Sequence, residues 1–451
     1  MTDVDIAATV AALCAELLDA GVVRDDVVIS RLGNSWQFLV LYLALQHLGA
    51  VIVPVPQSWR RTEIDQARQA TRARWRVSQG RGGSDDDLLL DGPDGAVCPL
   101  VTLRSPAGGR AQWVEPESRD KAGRPVFIAF SVVESGTRWV EHTEISANHS
   151  LRQCSATWQL SEDTHVLVAG AVGFLAGFQW GFRLGMFLGA EMTVLRRWDA
   201  KAAADAIDRH GCDFFYGTIR QLDELLAALD HDDDRDLVFV LAASQPTPEI
   251  VTRAQSLGCT VIPTYGQPES FLMSSCARSD SLERRGSTRG SEVAGTSLST
   301  APRCSGADTW QDIETTGPHV GRYIDVPASS DLRSIEGSTL VTGDEGWIDD
   351  QGYLHWVGSR SNVIMRSGIA ISPEEIAEIF RGHPDVLDAH AYAIPSPKHG
   401  EGLLVSLDIG RSIDEAELMA YMTDRGVARY KLPDQLQLRL TAEDKEVGHL
   451  S

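Results

Sequence analysis

From Asp25 onward, short β-branched runs alternate with longer stretches whose apolar residues recur at helical spacing. That alternation predicts parallel strands layered with helices. VVIS (Val27 to Ser30) predicts a strand, SWQFLVLYLALQHLGA (Ser35 to Ala50) a helix ended by Gly49, and VIVPVP (Val51 to Pro56) the next strand. VFIAF (Val126 to Phe130), HVLVAGAV (His165 to Val172), EMTVLRR (Glu191 to Arg197), CDFFYG (Cys212 to Gly217), LVFVLAA (Leu237 to Ala243) and CTVIPTYG (Cys259 to Gly266) continue the series. Together they predict a large, doubly wound α/β domain. The N-terminal MTDVDIAATVAALCAELLDAG reads as an amphipathic surface helix, with acids where a secretory signal carries bases. The apolar run Val166 to Leu195 is interrupted by Gln179, Arg183 and Glu191, which predicts a buried strand-helix-strand rather than a membrane span.

The pattern changes after Ser270. Arg278 to Thr309 is rich in Ser, Gly, Thr and Arg with few large apolar residues, so a flexible connection or insertion is expected there. Beyond Gly358 a compact α+β unit follows. In ISPEEIAEIFRGHP (Ile371 to Pro384), Ser372 is placed as an N-cap, Pro373 at the first helical position and acids in the first turn. DVLDAHAYAIP, LLVSLDIG, the helix DEAELMAYMTDRG and DQLQLRLT complete this smaller domain.

Composition narrows the function classes. With 451 residues the chain exceeds the roughly 100 to 200 residues of one domain, so two or three units are expected. A formal charge of -22 and no visible Lys/Arg cluster argue against a nucleic-acid partner. The seven cysteines are scattered without metal-ligand spacing, which predicts reduced, buried thiols, a cytoplasmic protein and no structural metal. His142, Glu144 and His149 lack a helical ligand spacing and are read as surface groups, and the acidic runs as solvated turns.

Several motifs carry chemistry. VTGDEGWIDDQGYLHWVG (Val341 to Gly358), YGQPES (Tyr265 to Ser270), RRWDA, SPEEIAEIFRGHPDVLDAHAYAIPSPKHGE and RYKLPD occur in an order, spread over most of the chain, that resembles the adenylate-forming superfamily of acyl-CoA synthetases, peptide-synthetase adenylation domains and luciferases. The resemblance implies a large AMP-binding-like domain over 1–357, a hinge at 358–363 and a small C-terminal lid domain over 364–451. It implies AMP or ATP, with Mg2+, as cofactors, and a small carboxylic acid or acyl-adenylate as partner, with CoA or a carrier protein as acceptor. No membrane partner is implied. Asp344 matches the family's ribose-binding Asp. Tyr265 matches the adenine platform, with Gly266 beside it, and Glu269 matches the Mg2+ carboxylate and is a candidate catalytic residue. Ala243 and Ser244 match the loop flanking adenine, and Arg360, one position late, the residue that contacts ribose or phosphate.

Other positions depart from the family. Where a flexible phosphate loop close to [ST]SGTTGxPKG is expected, the chain reads FSVVESGTRWVEHTEI (Phe130 to Ile145), with Trp139 at the Lys position and Glu134 and Glu141 adding negative charge. This is a degenerate phosphate loop, with Ser135-Gly136-Thr137 as a shifted remnant. The chain has only five lysines. Lys431 and Lys398 read as structural or surface positions, and Lys445 matches the family's catalytic lid lysine or is a solvated C-terminal residue. Phe174, Gly177, Phe178 and Phe214 fall where an apolar or aryl acyl pocket is expected, although such spacing also describes plain core. Three readings stay open: an adenylate-forming ligase with impaired ATP-phosphate handling, an ATP-independent condensing or acyl-transfer enzyme on the same fold, and a pseudoenzyme that binds a partner synthetase or carrier protein.

Overall fold

The computed structural model describes residues 3–79, 88–91, 97–100, 123–230, 235–242, 245–301, 311–324, 332–397 and 399–440. Four sheets organise them. In the first, of eight strands, Val27–Arg31 lies parallel to both Val51–Pro54 and Trp75–Gln79, and Val51–Pro54 is parallel to Pro125–Val133. The second, of seven strands, runs parallel through His165–Val168, Phe214–Thr218, Leu237–Ala242 and Cys259–Gln267. Its far edge is antiparallel, formed by Phe271–Ser275 and Ser291–Glu292. Fully buried β-branched and aromatic side chains on these central strands follow from helices covering both faces.

Local signals place the helices. Trp36–Leu48 starts at Ser35, whose side chain accepts from the Phe38 amide, and ends at Gly49 with φ 72. Its face of Phe38, Leu41, Tyr42 and Leu45 is buried in the main core. The apolar run from 166 is a strand-helix-strand as predicted: His165–Val168, a helical stretch over 175–188, and Glu191–Val194. Among the described residues no helix is long and apolar enough to cross a membrane.

The third sheet is antiparallel and carries Thr339–Ile348 at its centre, flanked by Gln311–Thr316 and Leu354–Ser359. In the fourth, Gly400–Ile409 pairs antiparallel with Val386–Ser396 and parallel with Gln435–Leu440, and the helix Pro373–Arg381 covers the sheet. Ser372 caps that helix by accepting from the Glu375 amide. The expectation of a flexible connection at 278–309 is corrected over its described part. Residues 278–301 hold a helix, Leu282–Ser287, and two strands, while 302–310 lie outside the described residues. Polar anchoring replaces aliphatic packing there: Arg285 is buried and donates to the carbonyls of Asp280 and Val261 and to Gln255.

Candidate active site

The TGD turn and the YGQPES motif converge. Asp344, on Thr339–Ile348, is 6% exposed and Tyr265 7%. The Tyr265 hydroxyl donates to Asp344 Oδ2 at 2.8 Å, and Gln267 Nε2 donates to the same oxygen at 3.1 Å. Burial first, and the neighbouring carboxylate second, hold the Tyr265 phenol well above its ordinary pKa, so it stays a donor. Gly266 sits where an added Cβ would lie 1.9 Å from the Phe271 carbonyl, so the strand admits no side chain there. Phe271 itself adopts φ 58, a costly conformation for a bulky residue. Tertiary packing holds it, since its ring lies 4.2 Å from that of His142.

Glu269 is fully buried. Its Oε1 accepts from the Tyr323 hydroxyl at 2.8 Å and from Arg333 Nη1 at 3.2 Å. Arg333 Nη1 also donates to Ser131 Oγ at 2.8 Å, and Nε to the Thr342 carbonyl at 3.1 Å. Burial alone would lower the Arg333 pKa, but Glu269, and then Asp344, raise it instead. These residues do not fit a divalent cation at Glu269: the carboxylate has no exposed surface and a guanidinium already neutralises it. A buried cation, Arg289, lies with its guanidinium 5.3 Å from the Trp356 ring centroid. Burial pushes its pKa down to about 10 against the opposing pull of Tyr265 and Asp344. Elsewhere, His383, Asp385 and Glu417 cluster, but Arg411 pairs with both carboxylates there.

The segment expected to be a phosphate loop is a tight β-hairpin. Pro125–Val133 pairs with Gly136–Thr143 in the register Val132↔Thr137 and Val133↔Gly136, leaving only Glu134 and Ser135 in the turn. Gly136 and Thr137 are therefore strand residues, which corrects the reading of a shifted remnant loop. Trp139, at the lysine position, is 2% exposed and packs edge-on against Trp59. His142 corrects another expectation. It is buried, its Nε2 donates to the Pro268 carbonyl at 2.7 Å, and burial pushes its pKa down to about 4.

The hairpin tip also holds the fourth sheet's unit. Asn362 Nδ2 donates to Glu134 Oε1 at 2.8 Å, and Ser372 Oγ donates to the Glu134 carbonyl at 2.7 Å. Nearby, Lys431 is 3% exposed, with Nζ 2.6 Å from Glu375 and 3.7 Å from Glu63. The Ala428 amide donates to Glu63, and Trp59 Nε1 to the Tyr430 hydroxyl. The YKLP segment is thus an inter-lobe anchor.

The other sequence candidates are dispersed. Arg360 pairs with Asp312 at 2.9 Å and Glu345 at 3.7 Å at the end of Leu354–Ser359. Phe178 and Phe214 lie inside the main core, on Tyr42 and Phe127 and on Trp158 respectively. Phe174 is partly buried beside Phe130, and Gly177 lies where an added Cβ would be 2.4 Å from the Ala171 carbonyl. Ala243, Ser244, Lys398 and Lys445 lie outside the described residues. Sequence reasoning missed Arg333, Arg289, Tyr323 and Gln267. Only Gln267 carried a local signal, lying inside the YGQPES motif.

The AMP-binding enzyme family model matches residues 4–300. A medium-chain fatty-acid–CoA ligase of Escherichia coli is 24% identical, over 93% of this chain and 79% of its own. A 2-succinylbenzoate–CoA ligase of Bacillus cereus is 22% identical, over 96% and 88%. Among solved structures, o-succinylbenzoate CoA synthetase of Bacillus subtilis, a double mutant bound with its product analogue, superposes with TM-score 0.80 at 17% identity, covering 96% of this chain and 89% of that one. The same enzyme in complex with AMP gives 0.67 with the same identity and coverage. With more than half its length matched by that family model, the chain belongs to the AMP-binding enzymes, the adenylate-forming ligase superfamily.

Proposed function

We propose that this protein works on the second half of the ligase reaction, transferring the acyl or aryl group of a small carboxylic acid from its adenylate to a thiol such as CoA, without activating the acid with ATP. The observation that carries this reading is the two-residue hairpin at Glu134–Ser135, in the place where the family's phosphate loop is expected. Trp139 in the core and the metal-excluding pair of Glu269 with Arg333 support it. In the proposed step the thiolate sulfur forms a bond to the acyl carbon, the acyl C–O bond to phosphate breaks, AMP leaves with the electron pair and the thiol proton passes to solvent.

Asp344, oriented by Tyr265 and Gln267, would receive the ribose. The test compares two assays on the full chain. Pyrophosphate exchange with Mg-ATP and a panel of carboxylic acids is expected at background, whereas a synthetic acyl-adenylate with CoA is expected to yield thioester and AMP. Acid-dependent exchange well above background overturns the reading, as does an adenylate that CoA does not consume faster than its uncatalysed rate.

A further inference from the structure

Two buried carboxylates, Glu269 and Asp344, lie near two guanidiniums, the partly buried Arg333 and the buried Arg289. Arg333 is electrostatically coupled to both acids and Arg289 to Asp344. A divalent cation is drawn by uncompensated carboxylate charge and by open coordination positions filled with water, and this arrangement supplies neither. Arg333 is not fully consumed by its partners. Its Nε and Nη1 are engaged by Thr342, Ser131 and Glu269, while Nη2 makes no hydrogen bond among the described residues. The side chain is 14% exposed and lines a small cleft with Val133, Glu134, Thr342, Gly343 and Ser361. This cleft lies between the hairpin tip, the TGD turn and Ser361 of the expected hinge.

We propose that Arg333 is a resident cation that takes over the charge role of a divalent metal at Glu269, so that the site binds the phosphate of an acyl-adenylate or AMP through a guanidinium and without metal. The inference rests on the transfer reading above and deepens it by naming a metal-free nucleotide monoester or mixed anhydride as the ligand. Chemistry favours the substitution. A guanidinium stays charged at every relevant pH and presents a fixed fork of donors, so it can hold Glu269 with one nitrogen and offer another to an anion.

The test is binding rather than turnover. AMP and a non-hydrolysable acyl-adenylate analogue are titrated calorimetrically into the full-length protein with EDTA or with Mg2+, and Mn2+ binding is followed by electron paramagnetic resonance. Wild type is expected to bind the nucleotides with dissociation constants that agree within about twofold between the two conditions, and to leave the Mn2+ signal free. Arg333→Met is expected to lose about tenfold or more in nucleotide affinity in EDTA and to regain part of it with Mg2+; Arg333→Lys is expected to retain metal independence. Should the Met variant fail to fold, the wild-type and Lys measurements decide alone. Stoichiometric Mn2+ binding by wild type that Glu269→Gln abolishes overturns the proposal, as does nucleotide binding that needs Mg2+ or is absent under both conditions. The two readings fail separately: Mn2+ held at Glu269 without pyrophosphate exchange sinks this inference alone, and metal-free exchange sinks the transfer reading alone.

Discussion

The Tyr265 hydroxyl and the Asp344 carboxylate are a donor and an acceptor that water reaches poorly, so removing the donor is costly. Tyr265→Phe is expected to lower stability by about 1–3 kcal/mol, read as a lower urea midpoint at unchanged slope, and to weaken AMP binding. An unchanged midpoint would show that Asp344 is not held by this bond. A second consequence concerns acid. His142 and His319 are both buried and burial pushes their pKa values down to about 4 and about 3, so both are neutral in the folded chain. An unfolded His titrates near about 6.5. The unfolded state therefore binds more protons below that pH, and the stability these residues support is complete above it and lost as pH falls toward 4. Each contributes a slope of up to about 1.4 kcal/mol per pH unit in that window. Urea midpoints between pH 7 and 4 should fall for wild type and fall less steeply for His142→Leu. At this scale the sequence disclosed Asp344, Tyr265 and Glu269, because short motifs carry them. It could not disclose Arg333 or Tyr323, whose significance lies in contacts to Glu269 across 64 and 54 positions of chain.

Helices and strands were more legible than their junctions. Ser35, Gly49 and Ser372 announced helix ends because capping is a local interaction between residues a few positions apart. The residues at 278–301 were misread because apolar periodicity is blind to segments held by buried Arg side chains such as Arg285 and Arg289. The hairpin was missed for a related reason: Ser-Gly-Thr looks like loop chemistry until the partner strand is known. Docking of the C-terminal unit offers a test at this scale. Lys431→Met leaves Glu63 and Glu375 buried without their cation, a loss expected to cost about 3–5 kcal/mol. Limited proteolysis should then cut at 358–363 faster than in wild type. Cleavage at an unchanged rate would show that Lys431 does not anchor the lobe.

At the scale of the molecule, the alternation of strand and helix signals was enough to place the parallel sheets, since each unit is set by its own sequence. How the C-terminal unit meets the rest was not, because the anchors come from opposite ends of the chain, Trp59 and Glu63 with Tyr430 and Lys431. Those anchors and the Glu134 contacts predict a single arrangement of lobes in solution. Small-angle scattering profiles should be superimposable with and without AMP or the adenylate analogue, and a ligand-dependent change in radius of gyration would contradict this. The hairpin also constrains redesign. Val132, Val133 and Thr137 are now ladder residues, and replacing each with the Gly or Ser of a phosphate loop would forfeit up to about 1 kcal/mol of strand stability. Extracting Trp139 from the core would cost about 3–5 kcal/mol more. Reshaping the hairpin toward a phosphate loop therefore costs folding stability at each substitution, so laboratory evolution toward ATP use should succeed only from a pre-stabilised parent.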